Sequence, residues 1–245
     1  MPEIPSLDDF RGKVLHSHYY RHPEDFKDQV VLCLGAGPSG IDISIDISKF
    51  AKKVYLTHWN PALATPLPSN VQQTCNVKKV IQNGVQLQDD TELQVDTMLL
   101  CTGYKYDFPF LSPKCRLSTE GERVTPLYKH LIHIDYPTLS FIGLCKQICT
   151  FPQFHCQVLF VIAALDGSMK LPTAEEMTQN EEADYKKRLS EGLPHRHAHK
   201  MGARQWAYND ELAALAGFEP IPRVAKNLGV HICISSEECF RVSQN

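Results

Sequence analysis

Six consecutive residues carry the sharpest chemical signal in this chain: Gly35-Ala36-Gly37-Pro38-Ser39-Gly40. A G-x-G-x-x-G spacing suits backbone that must pass close to a pyrophosphate. Gly35 permits a tight turn, Gly37 lets the main chain approach the phosphates, and Gly40 lets the next helix pack closely on the preceding strand. Pro38 and Ser39 lie inside the turn, and the Ser39 hydroxyl adds a polar group to the cradle. A helix starting here aims free N–H groups and the positive end of its dipole at a bound anion. The chemistry implied is dinucleotide binding. The alternative is a strand–turn–helix connection without a ligand.

The flanking segments have the composition such a site needs. Residues 29–34 are apolar and β-branched and predict a parallel-type strand. Residues 39–50 place Ile41, Ile45 and Phe50 near one face, with Ile43 and Ile47 beside it, and predict a broadly buried helix. Residues 53–57 (KVYLT) predict the second strand of a right-handed βαβ unit. That strand runs into Thr57-His58-Trp59-Asn60 without an Asp or Glu. In NAD sites an acid here holds the ribose hydroxyls, and it would repel a 2′-phosphate. Its absence favours NADP. No arginine is present to anchor that phosphate, so Thr57, His58 and Asn60 are assigned to the adenosine end, with Lys52 or Lys53 nearby. His58 is either a ligand contact or an exposed loop histidine. Trp59 either stacks on adenine or packs locally.

Further along, residues 60–73 read as loop and residues 84–100 as a β-hairpin whose second arm enters a buried strand. Cys101-Thr102-Gly103-Tyr104 follows directly. A small turn at a strand's carboxyl end lies on the ligand edge of an α/β sheet, which brings in Thr102 and Gly103. Residues 138–144 predict another buried strand and residues 154–166 an apolar helix. Thr173 and Glu176 form a capping box ahead of a charged, solvated helix. Asn209 is expected to cap a short helix that ends at Gly217. His195, His197 and His199 alternate, but no acid or thiol accompanies them at a zinc spacing, so they read as a solvated loop and no metal is expected. Cys145, Cys149 and Cys156 form no C-x-x-C pair and read as buried, inert thiols.

Composition narrows the class. A net charge of -3 argues against a nucleic-acid surface. Nine cysteines at irregular spacing suit free thiols in a reducing compartment. The first residues have no signal-peptide pattern, and the longest strongly apolar run, 158–165, is far short of the roughly 20 residues a membrane span needs. A soluble, cytoplasmic protein is expected.

Several motifs in order resemble one family. Phe10-x-Gly12-x-x-x-His16-x-x-x-Tyr20 shortly precedes the glycine turn, and Ile41-Asp42-Ile43 follows it. Then come Pro68, Asn70-Val71 and Gln73, the Cys101-Thr102-Gly103-Tyr104 junction, Tyr106-Asp107-Phe108-Pro109-Phe110, Leu127-Tyr128-Lys129-His130 and Ile142-Gly143-Leu144. This set resembles the flavin-containing monooxygenases, in particular the soluble branch with the senecionine N-oxygenases and the plant S-oxygenases. The resemblance covers residues 2–228.

It implies an α/β fold: a Rossmann-like, three-layer NAD(P)-binding domain plus the C-terminal return of an FAD-binding domain. The corresponding division is a connector with the family motif (1–28), the NADPH domain (29–103), the flavin-domain return (104–228) and a divergent tail (229–245). In relatives a separate FAD turn and the active-site asparagine lie upstream, so the chain is expected to lack the N-terminal FAD portion. The implied activity uses NADPH, FAD and O2 to oxygenate the nitrogen or sulfur of a small amine or thioether. Asn70 and Gln73 are implied near the nucleotide, and Thr102 and Gly103 at a hinge. Phe10, Gly12 and His16 are read as packing. Gln157 is either a flavin-contacting glutamine or a plain helix-surface amide. A second reading is a non-catalytic form that binds NADP(H) or a protein partner and self-associates through faces the absent portion would cover.

Overall fold

The structure is a computed structural model that describes residues 4–59, 63 and 66–228. Asn60 and the 229–245 tail lie outside the described residues. The chain forms two compact units, one reaching Tyr104 and the other starting at Lys105.

The first unit is built on a five-stranded parallel sheet. Its strands are β1 (Lys13–His16), β2 (Val30–Leu34), β3 (Lys53–Thr57), β4 (Val71–Thr74) and β8 (Thr97–Leu100), in the order β1-β8-β2-β3-β4. Val31, Leu32, Cys33, Met98, Leu99 and Leu100 are fully buried. That explains why the two central strands read as unbroken apolar runs: both faces of a parallel sheet are covered. On one face Val31, Cys33, Val54, Leu56 and Leu99 pack with Ile47 of helix α1 (Pro38–Ile47). On the other, Leu32, Leu34, Met98 and Leu100 meet Val80, Val85 and Leu87 of a three-stranded antiparallel sheet. That sheet is formed by β5 (Val77–Ile81), β6 (Gly84–Leu87) and β7 (Glu92–Gln94). The three layers are therefore helix, parallel sheet and antiparallel sheet.

Two sequence readings change here. The stretch read as a connector contributes β1, an edge strand paired with β8. The 60–73 loop runs into β4, the opposite edge, paired with β3. The Phe10 to Tyr20 motif packs within this unit. Phe10 joins the core beneath the antiparallel sheet. The Tyr20 hydroxyl donates to Asp46 of α1 at 2.5 Å, and its ring stacks on Phe26.

The second unit contains a two-residue ribbon, β9 (Leu127–Tyr128) with β10 (Ile132–His133), and the helices α2 (Thr150–Asp166), α3 (Ala174–Ser190) and α4 (Arg204–Ala216). Leu131, Ile132, Phe160, Met201 and Leu212 form its centre. Helix α2 starts four residues before the expected point because Pro152 falls in its first turn, where a missing N–H costs nothing. The Thr173–Glu176 capping box is present in full. Residues 138–144 do not form a strand. They meet β10 only through an isolated bridge at Ser140, and Gly143 turns the chain with φ +89°. Asn209 is not a cap: it lies in the middle of α4, fully buried, and neither amide atom has a partner among the described residues.

Candidate dinucleotide site

In a parallel sheet, ligands bind beyond the carboxyl ends of the strands, where the chain order reverses. Here β2 leads to β3 on one side while β8 lies on the other, so the reversal falls between β2 and β8. Gly35 leaves β2 at that point and Cys101 leaves β8. Two backbone bonds hold the edge together: Gly35 N donates to Thr57 O at 2.9 Å, and Cys101 N donates to Leu34 O at 2.8 Å.

The three glycines do different work. Gly35 has φ +108°, and a Cβ there would stand 2.6 Å from Cys101 O. A Cβ on Gly40 would stand 1.8 Å from Gly35 O, so this position sets how closely α1 approaches the strand. A Cβ on Gly37 would meet nothing within 4 Å among the described residues. The absent side chain at Gly37 thus leaves open space in front of the helix start, as a pyrophosphate seat requires. Pro38 is the first helical residue and has no N–H. The first intrahelical bond runs from Ile41 N to Gly37 O at 3.0 Å. The N–H groups of Ser39 and Gly40 precede it and have no intrahelical partner. Ser39 is exposed beside them. These residues fit a dinucleotide pyrophosphate.

On the β3 side, His58 is buried, only 6% exposed, which removes the exposed-loop reading. Its Nε2 lies 3.1 Å from Gln73 Oε1, and its Nδ1 has no partner among the described residues. Thr74 Oγ1 is buried and unpartnered as well. Both residues line a cavity of about 400 Å³ with Trp59, Gln73, Cys75, Asn76 and Gln88. Trp59 is 76% exposed at its rim. Thr74, Asn76 and Gln88 were not legible as site residues, because the strand that presents Thr74 reads as polar loop.

Other expected contacts are engaged elsewhere. The Thr57 hydroxyl turns into the sheet and donates to Cys33 O at 3.4 Å, so Thr57 serves the site through its carbonyl on Gly35. The Asn70 amide donates to Ser48 O at 2.8 Å and Ala51 O at 3.1 Å. That ties it to the C-terminal end of α1, roughly 15 Å from the turn at 1.5 Å rise per residue. Gln73 fastens residue 63: Leu63 N donates to its Oε1 at 2.6 Å, and its Nε2 donates to Leu63 O at 3.2 Å. Lys53 is the first residue of β3, roughly 13 Å along the strand from Thr57, with its ammonium 4.8 Å from the Tyr55 ring centre. Neither Lys52 nor Lys53 is therefore at the carboxyl edge. Thr102 and Gly103 are exposed at the end of β8, where Gly103 has φ +80°. Beside them Tyr104 meets the His16 ring edge-on at 5.3 Å.

Gln157 in the second unit is not a surface amide. It is fully buried, its Oε1 accepts from Gly143 N at 3.0 Å, and its Nε2 donates to the Tyr208 hydroxyl at 3.1 Å. The sequence holds one G-x-G-x-x-G turn, Gly35 to Gly40.

The second unit has its own polar cavity of about 690 Å³, lined in part by His130, Asp184, Arg188 and His199. Its groups are spent on one another. Val124 N donates to His199 Nε2 at 2.8 Å, which leaves the His199 proton on Nδ1. That proton points at His130 Nδ1, 3.0 Å away, and His130 Nε2 lies 3.2 Å from Asp184 Oδ2 and 3.1 Å from Arg188 Nη2. Arg188 Nε donates to the same carboxylate oxygen at 2.6 Å. Burial, then the neighbouring His130 and Arg188, push His199 down to about 2, and burial lowers His130 too. Burial alone would raise Asp184, but His130 and Arg188 outweigh it and hold the carboxyl well below its usual range. His199 is thus a buried structural group rather than part of a solvated loop. Burial raises Cys145 to about 12 and Cys156 to about 11, which keeps both thiols protonated, and Cys149 is half-buried.

The fold and its carboxyl edge place the chain among the Rossmann-like α/β proteins. The family described as flavin-binding monooxygenase-like matches residues 1–64 and 60–225. The chain is 37% identical over 230 residues to flavin-containing monooxygenase FMO GS-OX-like 2 of Arabidopsis thaliana, a match covering 91% of this chain and 49% of the relative. It is 39% identical over 223 residues to FMO GS-OX5 of the same plant, covering 89% and 49%. The structure of S-allyl-L-cysteine S-oxygenase from Allium sativum superposes with a TM-score of 0.85 at 35% identity, over 97% of this chain and 55% of that one. The chain belongs to the flavin-binding monooxygenase family, whose members are oxidoreductases that use FAD and NADPH. It spans about half the length of the curated relatives it matches. No helix among the described residues is long and apolar enough to cross a membrane.

Proposed function

We propose that this chain supplies the NADP(H)-binding portion (29–103) and the C-terminal flavin-domain portion (104–228) of a flavin-dependent monooxygenase. The whole protein uses NADPH, FAD and O2 to oxygenate the nitrogen or sulfur of a small soft nucleophile, as N,N-dimethylaniline monooxygenases do. The observation that carries this reading is the contrast among the three glycines, two closed against backbone and Gly37 open where a pyrophosphate would pass. The family match and the S-oxygenase relative support the sulfur branch. The flavin would supply oxygen activation. This chain's residues bind and orient the reductant through Gly35, Gly37, Ser39 and Gly40, with Thr102 and Gly103 as a hinge ahead of Lys105. The cytoplasm is the proposed location.

A second reading is a non-catalytic chain that binds NADP(H) and self-associates. It is favoured by the single glycine turn and by the exposed apolar side of α2, where Phe151, Val158, Ile162 and Leu165 face outward. The test is the absorbance spectrum of the purified chain together with NADPH oxidation in the presence of FAD and a thioether. Bound flavin and thioether-dependent NADPH oxidation support the first reading. Colourless protein that binds NADPH and sediments as an oligomer supports the second.

A further inference from the structure

We propose that the outer face of helix α2 is a docking surface for residues 229–235 of this same chain, which lie along it as an apolar strap. The inference needs no dinucleotide, and it competes with self-association for the same face.

Helix α2 is apolar on both sides. Inward, Cys156, Phe160 and Ala163 are buried with Gln153 and Gln157. Outward, Phe151, His155, Val158, Ile162 and Leu165 are exposed. These five are spaced four, three, four and three residues apart, the spacing of a straight seam along which another segment packs. All but His155 are apolar, and Phe151 is 86%, Leu165 58% and Ile162 50% exposed. A helix on the surface of a solvated domain turns a polar face outward. A contiguous apolar stripe there marks an interaction surface instead. Among the described residues nothing covers it.

The chain brings an occupant to this helix. Ile221 packs on the core of the second unit, and Lys226 Nζ donates to both oxygens of Asp210 in α4, at 2.5 and 2.7 Å. The Cys156 thiol, halfway along α2, feels the charges of Asp210 and Lys226, so this anchor stands close to α2. Val224 and Leu228, four residues apart beside it, already face outward. The next residues read Gly-Val-His-Ile-Cys-Ile-Ser, with no Asp, Glu, Lys or Arg. Val230, Ile232 and Ile234 alternate with His231 and Cys233, the pattern of a segment that buries one side. Gly229 at the junction gives the backbone freedom to turn back. Seven extended residues span roughly 23 Å, and the 17 residues of α2 measure roughly 25 Å, so the segment matches the seam in length. A second copy of the chain would have to be captured from solution. A tethered segment is present at an effective concentration on the order of millimolar, which favours the strap over the second copy.

The test places photoreactive p-benzoylphenylalanine at position 162 of the full chain, where the native Ile162 side chain is half exposed and the larger group has room. Irradiation, digestion and mass spectrometry should join residue 162 to a peptide containing 229–235, in material that runs as a single chain on a denaturing gel. Replacing Ile232→Asp and Ile234→Asp together should remove most of that product. The same pair of changes in the otherwise native chain should raise the fluorescence of an added hydrophobic dye several-fold, as the stripe opens to solvent. A product that links two chains makes a second copy the occupant and overturns the proposal. A product elsewhere in the same chain, no product, or a 229–235 product undiminished by the two Asp changes overturns it as well.

Discussion

The carboxyl edge of the parallel sheet and the cluster of His130, Asp184, Arg188 and His199 in the second unit are both polar, and they use their groups differently. At the edge, the Ser39 and Gly40 N–H groups lie ahead of the first helical bond, and His58 Nδ1 and Thr74 Oγ1 are buried without a partner among the described residues. In the second unit, Val124, His199, His130, Asp184 and Arg188 are hydrogen-bonded to one another. The histidine-rich cavity there is larger and would be the more conspicuous site by size. Partner accounting points the other way. Groups bonded to one another hold a scaffold, while free N–H groups at a helix start suit a bound anion.

This contrast can be broken in order of expected effect. Gly40→Ala drives a Cβ into Gly35 O, a backbone atom that cannot swing aside. Loss of more than about 3 kcal/mol, above the usual overpacking range, is expected in the first unit. Urea unfolding followed through Trp59, with Trp206 replaced by Phe, reads this directly. An unchanged midpoint would mean that the helix does not approach the strand as closely as described. Asp184→Leu strands the Arg188 guanidinium, whose side chain is only 6% exposed. The expected cost is about 3 kcal/mol, the low end for a broken buried pair, because the carboxylate itself is 42% exposed. Trp206 fluorescence in a Trp59→Phe background reports it.

Acid should loosen the second unit next. The folded pKa of His199 is depressed to about 2, so the unfolded chain binds its proton first. The stability from keeping this ring neutral is fully present above about pH 6.5 and is lost as pH falls toward the folded value. Between pH 6.5 and 5 the loss is about 2 kcal/mol from this residue alone, and His130 adds in the same direction. Asp184 acts in a lower window, since a depressed carboxyl loses its contribution only as pH falls below the ordinary carboxylate range. A His199→Asn variant whose acid sensitivity equals that of the wild type would refute the network.

The βαβ unit was readable because its signals are local. An apolar run, a glycine turn and helical spacing place β2, α1 and β3 within a few residues of where they fall. The two edge strands were not readable. Val71–Thr74 is VQQT, too polar to suggest a strand, and it is held by the ladder to β3. Lys13–His16 is short and held by β8. Burial of a polar ring was equally hidden. His58 depends on Gln73, fifteen residues on, and His199 on Val124, seventy-five residues back. The glycine turn was legible as a site from spacing alone. Asn70 and the Thr57 hydroxyl were legible only as polar groups near it, because their targets, the end of α1 and the Cys33 carbonyl, are set by the folded sheet.

The central claim is that the space in front of Gly37 seats the reductant's pyrophosphate. The direct measurement is NADPH binding to the purified chain and to Gly37→Ala, by calorimetry or fluorescence, alongside thermal unfolding of both. Because a Cβ at Gly37 meets nothing within 4 Å among the described residues, the variant should melt with the wild type. Its affinity for NADPH should drop at least tenfold, a difference of about 1.4 kcal/mol. Equal affinity in an equally stable variant would contradict the account.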